Sequence, residues 1–176
     1  MFKKYLLVLC FALTNFAYAD FTTGRNDAFN IHHGKTSSSD VDVIGYDWNW
    51  DLPVSLNGNI TGFLLFGINN WKDNSVAKDS FVGLHLAPGL RFSFPMDSEY
   101  LVPYLDVSVG VAYFGRKDFG NYYQLDNDFK MELNLVLGAT FGQQDEYEIG
   151  LGYSHYFADG GSDIEVGPSI YLGYHF

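Results

Sequence analysis

The sequence predicts a closed, eight-stranded antiparallel transmembrane β-barrel. Three observations point there: an export signal at the N-terminus, long segments that alternate apolar and polar residues with period two, and connections that alternate between short and long.

The export signal comes first. Lys3 and Lys4 form a basic start, Tyr5 to Leu13 is an apolar run, and Ala17-Tyr18-Ala19 is a small-x-small cleavage site before Asp20. The run is too short to span a bilayer, so residues 1–19 read as a signal peptide and 20–176 as the barrel domain. Cys10 lies inside the apolar run and follows Leu9 rather than a small residue, which argues against a lipoprotein signal. Cleavage removes this single cysteine, leaving no disulfide and no thiol nucleophile. The chain carries a formal charge of -11, and loss of Lys3 and Lys4 makes it more acidic. Such a surface argues against nucleic acid and against electrostatic docking on anionic lipid. After residue 19 no apolar run approaches about twenty residues, so no membrane helix is expected.

The strands follow from the alternation. Eight segments are expected, at about 26–34, 41–51, 56–71, 80–95, 101–114, 128–142, 146–157 and 164–176. In the sixth, Phe129, Met131, Leu133, Leu135, Leu137, Ala139 and Phe141 share one face, and Lys130, Glu132, Asn134, Val136, Gly138 and Thr140 the other. The fifth sets Leu101, Leu105, Val107, Val109 and Val111 against Tyr104, Asp106, Ser108 and Gly110. The last sets Ile164, Val166, Pro168, Ile170, Leu172, Tyr174 and Phe176 against Glu165, Gly167, Ser169, Tyr171, Gly173 and His175. These segments are long for a soluble sandwich but sufficient for a tilted bilayer crossing. One face is almost free of charge and the other is polar or small, the pattern of a barrel with its apolar side in lipid. The third segment is less regular, with apolar residues on both faces from Asn57 to Trp71. Aromatic residues at 18% and nineteen glycines suit external belts and a crowded interior.

Short turns are expected near 52–55, 96–100 and 143–145, and longer polar connections near 72–79, 115–127 and 158–163. With the N-terminus on the periplasmic side, the short turns are periplasmic and the long ones external. Trp48 and Trp50 then fall in the periplasmic aromatic belt. The terminal Phe176, two residues after Tyr174, resembles the closing signal of bacterial outer-membrane barrels. Asp47, His85, Arg91, Asp106, Lys130, Glu132 and Glu148 all fall on the inward face, where an eight-stranded barrel has just enough room for side chains. They read as a buried charge network that plugs the barrel, not as an ion pathway.

Little conventional chemistry is present. The five histidines form no metal spacing, and adjacent His32 and His33 point to opposite faces of a strand. The segment Arg116 to Asp128 lacks calcium-loop spacing, and there is no zinc motif, phosphate loop or G-x-S-x-G elbow. Neither metal nor cofactor is expected. One histidine stands apart. On the seventh strand Tyr147, Ile149, Leu151, Tyr153, His155 and Phe157 share the lipid-facing side, so His155 lies near the outer end, at the height of lipid headgroups and acyl esters.

From Tyr46 onward the chain resembles the PagL-type lipid A deacylases. The resemblance runs through Tyr46-Asp47-Trp48-Asn49-Trp50, Asn59-Ile60-Thr61-Gly62, Leu86-Ala87-Pro88, Pro103 to Phe114 and Gly150 to Phe176, about three quarters of the chain in matching order. It implies an eight-stranded outer-membrane barrel that hydrolyses the ester-linked 3-position acyl chain of lipid A at a site on its outer wall. It implies the signature His-x-Ser-Asn on the seventh strand and a glutamate on the eighth. Serine would attack, histidine take its proton, and glutamate orient the imidazole. His155 falls on the histidine position and Glu165 on the glutamate position, while Phe157 stands at the serine and Ala158 at the asparagine.

Counting back from Phe176 puts Glu165 on the inward face, opposite His155; a bulge near Gly167-Pro168 would reverse this. Ser154 and Ser169 are expected to face inward, and Ser162 lies in the connection between the last two strands. The reading is a membrane-embedded, PagL-like barrel in the bacterial outer membrane, with lipopolysaccharide as its partner and an incomplete triad. The alternative is a non-enzymatic structural or interaction barrel.

Overall fold

The computed structural model describes residues 27–37, 40–56, 58–74, 80–96, 100–116, 118–119, 123–124, 128–142, 145–157 and 163–176. The expected signal peptide, Ala158 and Ser162 lie outside the described residues. The strands are β1 (Ala28–Lys35), β2 (Val41–Leu56), β3 (Ile60–Asp73), β4 (Ser80–Ser93), β5 (Leu101–Phe114), β6 (Asp118–Phe119), β7 (Tyr123–Gln124), β8 (Phe129–Phe141), β9 (Tyr147–Phe157) and β10 (Ile164–His175). Eight of them close into a barrel in the order β1-β10-β9-β8-β5-β4-β3-β2, and every neighbouring pair is antiparallel. The remaining two, β6 and β7, pair with each other inside the longest connection, a small hairpin that the alternation does not reveal.

Closure pairs β1 with β10, from Ala28 opposite His175 to His33 opposite Ile170. No barrel strand has an open edge, which matters because an unpaired backbone group in hydrocarbon costs several kcal/mol. No helix among the described residues is long and apolar enough to cross a membrane; the strands do the crossing.

The two faces divide as the alternation predicts. On β9 the burial alternates residue by residue, with Tyr147, Ile149, Leu151 and Phe157 exposed and Glu148, Gly150, Gly152, Ser154 and Tyr156 buried. The exposed set is apolar, which only a lipid environment makes favourable. At the periplasmic end, Trp48 meets Phe176 edge-on at 5.5 Å, and Phe141, Tyr147 and Tyr174 form a continuous row of rings.

Three expectations need correction. The turn placed at 52–55 is not there. Strand β2 continues to Leu56, and the described turn residues are Gly58 and Asn59. Pro53 is accommodated because the β2–β3 register shifts between Leu52 and Ser55, so its missing N–H falls where the ladder is already interrupted. The last strand also changes parity. Its register against β9 shifts between Val166 and Ser169. Ile164 and Val166, expected outside, are therefore buried inside the barrel, at 0% and 2% exposure.

The third correction concerns the lumen, which is not uniformly polar. Toward the external end it is filled by Trp71, Phe81, Phe114 and Tyr156, packed with Val41, Val43, Ile164 and Val166. Trp71 stacks on Phe81 at 5.9 Å and meets Tyr156 edge-on at 5.6 Å. Below this apolar plug lies the charged layer. Gly67 faces inward there, and a Cβ on it would collide with the His85 imidazole and the Asp47 carboxylate. Its missing side chain is what lets those two groups meet.

Candidate functional site on the outer wall

The wall site is built from the external ends of β9 and β10. His155 is opposite Glu165 in the ladder and opposite Leu133 on the other side. The bulge after Val166 turns Glu165 outward, so it shares the lipid-facing side with His155 and does not point into the lumen. The packing explains why. With Ile164 and Val166 drawn into the apolar plug, the residue between them must face out.

His155 Nδ1 lies 3.7 Å from Glu165 Oε1 and 3.3 Å from the Tyr153 hydroxyl. Its Nε2 lies 3.1 Å from Asp163 Oδ2. The imidazole is mostly covered, with 18% of its side chain exposed, while Asp163 and Glu165 are about half exposed at 48% and 45%. The Phe157 ring lies over it, 4.4 Å between centroids. Ser37, in the first external connection, donates from Oγ to Glu165 Oε2 at 3.0 Å, and its backbone N–H donates to the Glu165 carbonyl, also at 3.0 Å.

This geometry can be read chemically. A serine-activating histidine needs one ring nitrogen on an acid and the other facing the hydroxyl. Here Glu165 is on the Nδ1 side, as that logic requires. Among the described residues, the Nε2 side is taken by Asp163, an acceptor that cannot be deprotonated into a nucleophilic alkoxide. A neutral imidazole has a single N–H, so it can donate to only one of the two carboxylates at a time. Ser154 and Ser169 are buried in the lumen and cannot reach the wall. Ser37 bonds to the acid, on the side away from the imidazole.

Asp163 and Ser37 were not expected from sequence. Asp163 lies two residues before Glu165, and the bulge is what orients both toward His155. Ser37 becomes a neighbour only when β1 closes on β10, a contact across 128 positions of sequence.

Beside the histidine the wall is indented. A groove of about 440 Å3 is lined by Leu105, Leu135, Leu137, Leu151, Tyr153, Gly167 and Pro168. Gly167 and Pro168 place it at the bulge of β10, and its lining is aliphatic apart from the Tyr153 ring.

A closed barrel with an apolar exterior, aromatic belts and a filled lumen defines a protein of the bacterial outer membrane. The family is more specific. The model of the lipid A 3-O-deacylase (PagL) family matches residues 38–156, and the chain belongs to that family. The match includes His155 and stops before Phe157 and Glu165. Among solved structures, the crystal structure of the outer-membrane enzyme PagL superposes with a TM-score of 0.73 at 20% identity, covering 85% of this chain and 99% of that one. Neisserial surface protein A gives 0.56 at 12% identity, over 88% and 98%. The N-terminal barrel domain of Pseudomonas aeruginosa OprF gives 0.52 at 10%, over 88% and 100%. At these identities the superpositions show the shared fold. No curated protein sequence matches significantly.

Proposed function

We propose that the protein engages lipid A at the outer wall, with an acyl chain in the groove beside Tyr153 and its ester near His155, and that it does not cleave that ester by a serine mechanism. Residues 1–19 direct its export and are removed. The observation that carries this reading is the pair of groups around His155: the Phe157 ring at 4.4 Å where the family pattern calls for a nucleophile, and Asp163 on Nε2 where the nucleophile's proton would be received. Histidine and glutamate retain a base and its orienting acid, but among the described residues the base has only water to activate, in a site walled by leucines and aromatic rings. Ala158, at the asparagine position, has no side-chain donor for an oxyanion.

Native mass spectrometry of the purified protein in detergent tests the binding half of this reading. Lipid A is expected to stay bound at its full mass, and Leu151→Trp, which fills the groove, is expected to weaken retention at least fivefold. Retention unchanged by groove filling would favour a barrel whose interaction surface lies in the loops.

A further inference from the structure

The groove beside His155 has a direction and an end. On β8 Leu133 is opposite His155, Leu135 is opposite Tyr153, and Leu137 is opposite Leu151. Leu105 on β5 continues the last of these rows, opposite Leu137. The side chains in these rows differ in height. Leu137 and Leu151 stand out from the wall at 63% and 58% exposure, whereas Leu135 and Leu105 are half-buried. The recessed pair forms a track that leaves the histidine diagonally, across β8 to β5 and toward the middle of the wall. The raised pair banks it on the periplasmic side.

The track stops at Leu105. The next residue in that row is Phe92 on β4, directly opposite Leu105 and therefore on the same lipid-facing side. Among the described residues no part of β4 lines the groove, so the phenylalanine stands across its end. From His155 to Leu105 the track descends four residues along the strand and crosses two strand spacings, about 13 Å by about 10 Å, or about 16 Å along the diagonal. An extended hydrocarbon chain with C–C bonds of about 1.5 Å advances roughly 1.25 Å per carbon, so about thirteen carbons fill that length.

A track of fixed length treats chains of different length differently. In a membrane or micelle every chain already has apolar company, so what the track adds is close packing against fixed leucine side chains. A short chain leaves the far end unpacked. A long one must turn out around Phe92, and its extra carbons return to the company they had before. Resting on the reading that the groove holds the acyl chain of a lipid whose ester lies near His155, we infer that the groove selects that chain by length. Leu105 sets the limit, at about twelve to fourteen carbons.

The test is a competition among probes that differ only in chain length. Glucosamine carrying one ester-linked saturated chain, of eight to eighteen carbons in even steps, is offered as an equal mixture to the purified protein in nonionic detergent. Native mass spectrometry reads which masses are retained. Retention is expected to peak at twelve to fourteen carbons, at least threefold above the shortest and longest probes. Leu105→Trp is expected to move the peak to shorter chains and Leu105→Ala to longer ones. Both substitutions keep an apolar side chain toward lipid, so insertion is expected to be unchanged. A peak that stays in place in both variants, or retention that is flat or rises steadily with length, would overturn the inference. Leu151→Trp separates this from the reading beneath it. Retention that falls in that variant yet ignores chain length overturns the length selection alone. Retention that Leu151→Trp leaves unchanged overturns the groove as the binding place, and the length selection with it.

Discussion

Two histidines in this barrel sit between pairs of carboxylates, and their settings differ. His85 lies in the lumen between Asp47 and Glu132, with all three side chains at most 3% exposed and both contacts within 2.9 Å. His155 lies on the outer wall between Asp163 and Glu165, with contacts of 3.1 and 3.7 Å and both acids about half exposed. The inner trio is continued by further buried groups: Asp47 also holds His32 at 2.9 Å, and Glu132 accepts from Asn134. The outer trio reaches Ser37 and Tyr153 at the surface. The same three residue types therefore make a locked structural element in one place and an adjustable surface in the other. Burial and further hydrogen bonding, not residue type, distinguish a plug from a site.

The largest expected effect is in the lumen. Asp47→Ala strands His32 and His85 without their shared acid, and removing one partner of a buried ionic cluster costs about 3–5 kcal/mol. Urea titration of the refolded barrel in detergent, read by tryptophan fluorescence, should show it. A loss under about 1 kcal/mol would mean that the inner cluster is no more locked than the outer one.

Between the two regions stands the wall itself. Leu135→Arg puts a charge at the middle of β8 on the lipid-facing side, where arginine costs about 2–4 kcal/mol. Outer-membrane fractionation should find the variant depleted. Normal insertion would mean that the faces are misassigned and that His155 does not look toward lipid.

The smallest effects belong to the outer trio. Asp163→Asn and Glu165→Gln are each expected to change unfolding free energy by roughly 0–1 kcal/mol, because half-exposed ion pairs gain little from their charge. The same urea titration measures this. A loss approaching that of Asp47→Ala would make the outer trio a structural clamp.

These contrasts show what the sequence makes legible. Alternation along the strands placed every residue of the inward charge set, from Asp47 to Glu148, because one lipid-facing side forces a strict period of two. The parity of Glu165 was legible only as a choice. Gly167-Pro168 marks a bulge, but its effect depends on Ile164 and Val166 finding the aromatic plug, a partnership among β2, β3, β4, β5, β9 and β10 that no local pattern contains. The plug itself hid behind β3, whose apolar residues on both faces blurred the alternation up to Trp71. Pro53 read as a turn because proline usually ends a ladder, whereas here it sits within a register shift. Ser37 could not be found at all without the closure of β1 on β10.

The central claim is that the wall site keeps its histidine and acid but lacks a nucleophile. Mass spectrometry of lipid A incubated with the purified protein, and with the double replacement Phe157→Ser and Ala158→Asn, tests it most directly. The parent is expected to leave lipid A at its full mass. The double variant is expected to release one ester-linked acyl chain, and a further His155→Ala is expected to abolish that release. Robust deacylation by the parent that is lost on His155→Ala would contradict the account.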